Sequence, residues 1–109
     1  VTEQDKFLNG VLKMETKLTP WELLDSLHRI EAEANRERKI HWGPRTLDLD
    51  ILLYDDMVLQ EDNLCIPHVD MQNRVFVLAP MAEIAPYKRH PVFGLTMKEM
   101  LSQLEEKEK

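Results

Sequence analysis

The chain has 109 residues, a formal net charge of -6 and 43% hydrophobic residues, which suits one small folded domain and excludes a disordered chain. No apolar run approaches the ~20 residues of a bilayer-spanning helix, and an acidic total argues against a basic nucleic-acid face. The single cysteine, Cys65, closes no internal disulfide, and no signal peptide is visible, so a reducing, cytoplasmic setting is expected.

In chain order, Phe7 to Thr16 reads as a strand, with Leu8, Leu12 and Met14 on one face and Phe7, Asn9, Val11 and Lys13 on the other. Thr19-Pro20-Trp21-Glu22 then opens a helix through a capping box, with Pro20 at the first position and Leu18 and Leu23 placed to form a hydrophobic staple. Leu23, Leu27, Ile30 and Ala34 repeat at helical spacing, and the helix should end near Asn35. A cationic loop follows, carrying Arg36, Arg38, Lys39, His41 and Arg45. In an acidic protein, such a cluster points to a small polyanion as ligand.

Leu47 to Tyr54 reads as a second strand, followed by a turn at Asp55-Asp56 and a short strand near Val58 and Leu59. Leu64 to His68 should be extended where Pro67 restricts its predecessor. A short helix around Val77 to Ala85 stops at Pro86, and a second capping box, Thr96 with Glu99, starts the last helix, with Leu95 and Met100 as its staple. The charged tail, about residues 105-109, should fray. The methionines read as core filler and Cys65 as a small buried hydrophobe. Strands alternating with helices, without repeats or linkers, predict one α/β or α+β sandwich.

Alternation along the second strand places Asp48 and Asp50 on one face. Two carboxylates ~6 Å apart repel by on the order of 3 kcal/mol at an effective dielectric of ~20. A cation beside them removes that cost. Oxygen ligands on a rigid strand suit Mg²⁺, which takes one or two carboxylates and completes its octahedron with substrate phosphates. An Asp-x-Asp taken alone is often a solvated strand edge. Here arginines that bind phosphate in bidentate fashion lie within a few residues. Together they describe a nucleotide polyphosphate site, without specifying nucleotide or acceptor.

The run Trp42-Gly43-Pro44-Arg45-Thr46-Leu47-Asp48-Leu49-Asp50-Ile51 resembles the signature of the 6-hydroxymethyl-7,8-dihydropterin pyrophosphokinase family. The likeness continues through Ile66-Pro67-His68, Asn73-Arg74, Phe76-Val77-Leu78, Pro80 and Glu83-Ile84-Ala85-Pro86, and back to Asp5, Phe7, Leu8 and Asn9. It implies an ATP-dependent diphosphokinase of folate biosynthesis, yielding AMP and the pterin diphosphate. Asp48 and Asp50 would bind two Mg²⁺ ions. Arg36 and Arg45 would neutralise charge during transfer, and Arg38, Lys39, His68 and Arg74 would contact ATP. The pterin would lie between Phe7 and Phe76, with Asn9 at its edge and Trp42 closing the loop over it.

The implied fold is a ferredoxin-like α/β sandwich, of which residues 1-109 form a single partial domain lacking the N-terminal strand-helix-strand, since the chain starts at Val1 and shows no Gly-Ser-Asn strand. The chain also departs from the family at Val69, where a proline or aromatic is usual. An isolated segment with open sheet edges is expected to fold poorly or to dimerise by strand exchange. Two other readings stand beside this one: another Mg²⁺- or Mn²⁺-dependent Asp-x-Asp nucleotide transferase, and a non-catalytic truncated module of the same fold. Taken singly, Phe7 and Phe76 read as core aromatics, His68 as a loop histidine, and Trp42 as a loop anchor.

Overall fold

A computed structural model describes residues 9–38 and 47–108, with side chains 37 and 38 left aside. The fold is α+β. Its elements are α1 (Pro20–Arg38), the strands β1 (Leu59–Glu61) and β2 (Leu64–Ile66), a 3₁₀ turn at Met71–Asn73, α2 (Val75–Ile84) and α3 (Met97–Lys107).

Both expected capping boxes form. Glu22 N donates to Thr19 Oγ1 at 3.2 Å while Thr19 N donates to Glu22 Oε1 at 2.8 Å. In α3, Glu99 N donates to Thr96 Oγ1 at 3.1 Å and Thr96 N to Glu99 Oε1 at 2.8 Å. Each pair satisfies two of the orphan N–H groups at a helix start. These bonds hold the Glu99 carboxyl below its usual pKa, chiefly through the backbone bond with Thr96.

Two details of the helices differ from expectation. First, α1 continues past Asn35 to Arg38 and α3 runs to Lys107, beyond Leu104. Second, the buried stripe of α1 passes through Leu23, Leu24 and Leu27 but not Ile30, which is 52% exposed. Below Leu27 it continues through half-buried Glu31 and Asn35, so the face turns polar where it meets the second extended segment.

The core has two parts. Met71, Leu78, Met81, Met97, Met100 and Leu104 form one, between the 3₁₀ turn, α2 and α3. Four of these six are methionines, the unbranched side chain that fills irregular gaps. Leu23, Ile51, Leu64 and Ile66 form the other, between α1 and the β1–β2 hairpin. That hairpin is antiparallel and pairs Leu59 with Ile66 and Glu61 with Leu64. Cys65 within it is half-buried, with its thiol 3.5 Å from the Glu61 carbonyl.

The two longer strands are not strands here. Residues 9–16 and 47–54 make no ladder, and among the described residues neither has a neighbouring strand to supply the partner groups that a ladder needs. Leu12 is 80% exposed and Met14 55%, so their proposed face packs on nothing, while Val11 touches the methionine core. In 47–54 the alternation holds as far as Ile51. After it, Leu52 and Leu53 both meet the methionine core, and Tyr54 joins Ile51 against the other cluster. Tyr54 reaches across to donate its hydroxyl to the Leu18 carbonyl.

Between α2 and α3, His90 is buried and its Nδ1 accepts from the N–H groups of Val92 and Phe93, both at 3.2 Å. Burial lowers its pKa. Gly94 closes this turn at φ 74°, a conformation that favours glycine, with its N–H donating to the His90 carbonyl at 2.8 Å.

Candidate functional site

The extended segment 47–54 presents the site. Leu47 and Leu49 are half-buried while Asp48 and Asp50 are exposed, so alternation turns both carboxylates to solvent on one face. The segment is held on α1 by side chains instead of by a strand. Leu47 N donates to Asn35 Oδ1 at 2.8 Å, and Leu49 N donates to Glu31 Oε2 at 2.6 Å. A weaker bond of 3.5 Å returns from Asn35 Nδ2 to the Leu47 carbonyl. Neither Glu31 nor Asn35 was expected at the site. The available signal was their i, i+4 spacing in register below Leu23 and Leu27.

A backbone bond of 2.9 Å from His68 N to the Leu52 carbonyl ties the segment to the chain after β2. That bond carries His68 to Asp50, with Nε2 3.9 Å from Asp50 Oδ2. The contact is longer than a hydrogen bond, and the His68 ring is kept in place by Asp70 N donating to Nδ1 at 3.3 Å. The structure thus brings together Asp50 and His68, eighteen residues apart in sequence, a contact that the sequence did not indicate.

Arg74 and Phe76 form a second group. The Arg74 guanidinium lies 3.4 Å from Asp70 Oδ2 and 5.8 Å from the centre of the Phe76 ring, a cation–π arrangement. Phe76 is 50% exposed, so it is not a core aromatic. Asn9 is also exposed. At the end of α1, Arg36 is exposed and pairs with Glu33. Phe7, Lys39, Trp42 and Arg45, and the side chain of Arg38, lie outside the described residues.

Among the described residues no three His, Cys, Asp or Glu side chains are grouped to enclose a metal. The donor set on this face is two carboxylates. Such a set fits a hard cation that takes its other ligands from water or phosphate, and does not fit a closed protein cage. A groove of about 180 Å³ lies on the other side of His68, between Val58, Pro67, Val69, Val92 and Phe93. Asp48 and Asp50 do not line it.

An α+β chain that displays paired carboxylates beside a histidine has the equipment to handle phosphates bridged by a divalent cation. Residues 1–86 match the model of the family described as 7,8-dihydro-6-hydroxymethylpterin-pyrophosphokinase, and the chain belongs to that family. It is 51% identical over 89 residues to a 2-amino-4-hydroxy-6-hydroxymethyldihydropteridine pyrophosphokinase of Pseudomonas aeruginosa, covering 82% of this chain and 55% of that protein. The protein of the same name from Haemophilus influenzae is 54% identical over 83 residues, 76% of this chain and 52% of its own length. A protein named bifunctional protein FolKE, from Lactococcus lactis, is 55% identical over 82 residues, 75% of this chain and 24% of its own length. The chain thus spans about half the length of the single-function relatives and about a quarter of the bifunctional one.

Proposed function

We propose that the protein transfers diphosphate from ATP to 6-hydroxymethyl-7,8-dihydropterin, giving AMP and the pterin diphosphate, in folate biosynthesis in the cytoplasm. The relatives' names and the family match support the reaction class. The observation that carries it to this chain is the placement of Asp48 and Asp50 on one exposed face, with His68 beside Asp50.

The pterin hydroxyl oxygen bonds to the β-phosphorus of ATP as the bond from that phosphorus to the α-phosphate oxygen breaks. AMP leaves, and the hydroxyl proton passes to water. Such a transfer asks the protein for positioning and charge stabilisation, with no nucleophilic side chain. Asp48 and Asp50 hold two Mg²⁺ ions, whose bound charge offsets that of the phosphates. Arg36 and Arg45 neutralise charge at the group in transfer, and Arg38, Lys39, His68 and Arg74 hold ATP. Phe7 and Phe76 stack on the pterin, Asn9 bonds its edge, and Trp42 covers it. The exposed ring of Phe76 supports that role.

The fold supported best is a ferredoxin-like sandwich. In its split βαβ unit the two strands joined by a helix lie one strand apart. Residues 9–16 and 47–54 precede and follow α1 in the chain and pair with no described strand, and a central strand between them would complete the unit. In the absence of that strand, light scattering should find this 109-residue segment paired with a second copy. A compact monomer with a cooperative melt counts against that expectation.

The catalytic reading is tested in the intact protein with Asp48→Ala and Asp50→Ala. Each should lower AMP formation by at least ~10²–10³-fold, the scale of losing one group that stabilises transition-state charge. Calorimetry should show that Mg²⁺-dependent binding of a non-hydrolysable ATP analogue is lost as well. Unchanged turnover in either variant rejects the reading.

A further inference from the structure

We infer that Glu31 and Asn35 are positioning residues that set the metal-binding pose of Asp48 from the neighbouring helix. The inference rests on the reading of Asp48 and Asp50 as metal ligands. The polar contacts of Glu31 and Asn35 are with the backbone of residues 47 and 49. A metal-binding carboxylate has to be held to within a fraction of an ångström, and a strand ordinarily gains that rigidity from its ladder. Residues 47–54 have no ladder.

What replaces it is a two-point clamp. Glu31 and Asn35 are one helical turn apart, a rise of about 6 Å. Leu49 and Leu47 are two residues apart on an extended chain, about 6.6–6.8 Å. The two repeats nearly match, and the helix and segment run in opposite directions, so Asn35 meets Leu47 N at 2.8 Å and Glu31 meets Leu49 N at 2.6 Å. Asp48 is the residue between the two anchored amides. With both neighbours fixed, its Cα and the direction of its Cβ are fixed, while its own side chain stays free for a ligand. The bond to Glu31 involves a carboxylate acceptor, and charge assistance makes such bonds shorter and roughly twice as strong as neutral ones. Both anchors are half-buried, which keeps water from competing for the amides.

The clamp also accounts for a mismatch in α1. Ile30 is 52% exposed although it falls on the apolar stripe read from the sequence. The helix is instead rotated so that Glu31 and Asn35, two polar residues of modest value for packing, occupy the contact.

The test uses the intact protein and reads Mg²⁺-dependent binding of a non-hydrolysable ATP analogue by calorimetry, together with hydrogen exchange at Leu47 and Leu49. Removing a group that orients a metal ligand typically costs 10–100-fold in metal affinity. Glu31→Ala should therefore weaken the Mg²⁺-dependent step by at least about 10-fold and speed exchange at Leu49, and Asn35→Ala should do the same at Leu47. Glu31→Gln keeps an acceptor oxygen and the shape of the side chain, and should stay within about 3-fold of the parent. That variant also guards against loss of folding, since it retains every contact described. Faster exchange at Leu49 with unchanged Mg²⁺ affinity overturns the proposal, as does a loss in Glu31→Gln equal to that in Glu31→Ala, which would assign the effect to charge. Asp48→Ala separates the two levels. If it abolishes Mg²⁺ dependence while Glu31→Ala leaves it intact, the clamp alone is wrong. If it too leaves Mg²⁺ dependence intact, the metal reading fails and takes the clamp with it.

Discussion

The methionine core and the two extended segments all carry apolar residues at regular spacing and ended differently in the structure. Around α2 and α3, Met71, Leu78 and Met97 are fully buried, and the helices satisfy their own backbones. In residues 9–16 the apolar Leu12 and Met14 face solvent, and in 47–54 the backbone is held by two side chains of α1. The contrast teaches where self-sufficiency lies. A helix closes its hydrogen bonds within four residues, whereas a strand depends on a partner that the chain brings from elsewhere.

The largest expected effect tests the stronger half of that contrast. Leu78→Ala leaves a cavity in a fully buried site and should lower the unfolding free energy of the 109-residue chain by about 2–5 kcal/mol in urea titration. A loss below 1 kcal/mol would show that the methionines around it collapse into the space. Next in size, Thr96→Ala removes the α3 cap and should cost about 1 kcal/mol, read as a shift of the same midpoint. An effect near zero would mean that α3 is held by its buried face alone.

Acid should weaken the helical half in two stages. Burial lowers the His90 pKa, so the unfolded chain takes up that proton first. Stability is flat above about pH 6.5 and falls as the pH drops from there through the lowered native value. Glu99 is also lowered, but as an acid: its contribution is complete above pH 4.5 and is lost below it. Thermal midpoints between pH 8 and pH 2 should show both steps, and His90→Gln should remove the upper one. Persistence of the upper step in that variant would assign it to another group.

The smallest effect tests the weaker half. Leu12→Ser changes a side chain that is 80% exposed and should shift the stability of the 109-residue chain by less than about 0.5 kcal/mol. In a polypeptide carrying the additional length of the relatives, the same substitution should cost more, because residues 9–16 would then lie in a sheet. Equal effects in the two proteins would remove the central strand from the proposed fold.

The amino-acid sequence by itself determined both helix starts with capping boxes, the α2 stop before Pro86, the turn at Asp55 and Asp56, and the exposure of Asp48 and Asp50. All of these follow from interactions within about four residues or from the period-2 alternation of an extended chain. Ile66-Pro67-His68 and Asn73-Arg74 were likewise legible as motifs, and the family they suggested is the one to which the chain belongs. Only the tertiary structure decided that residues 9–16 and 47–54 make no ladder, that Ile30 gives way to Glu31 and Asn35, that Phe76 is open to solvent, and that His68 reaches Asp50. Each of these depends on what a distant part of the chain places alongside, and local periodicity carries no record of the partner.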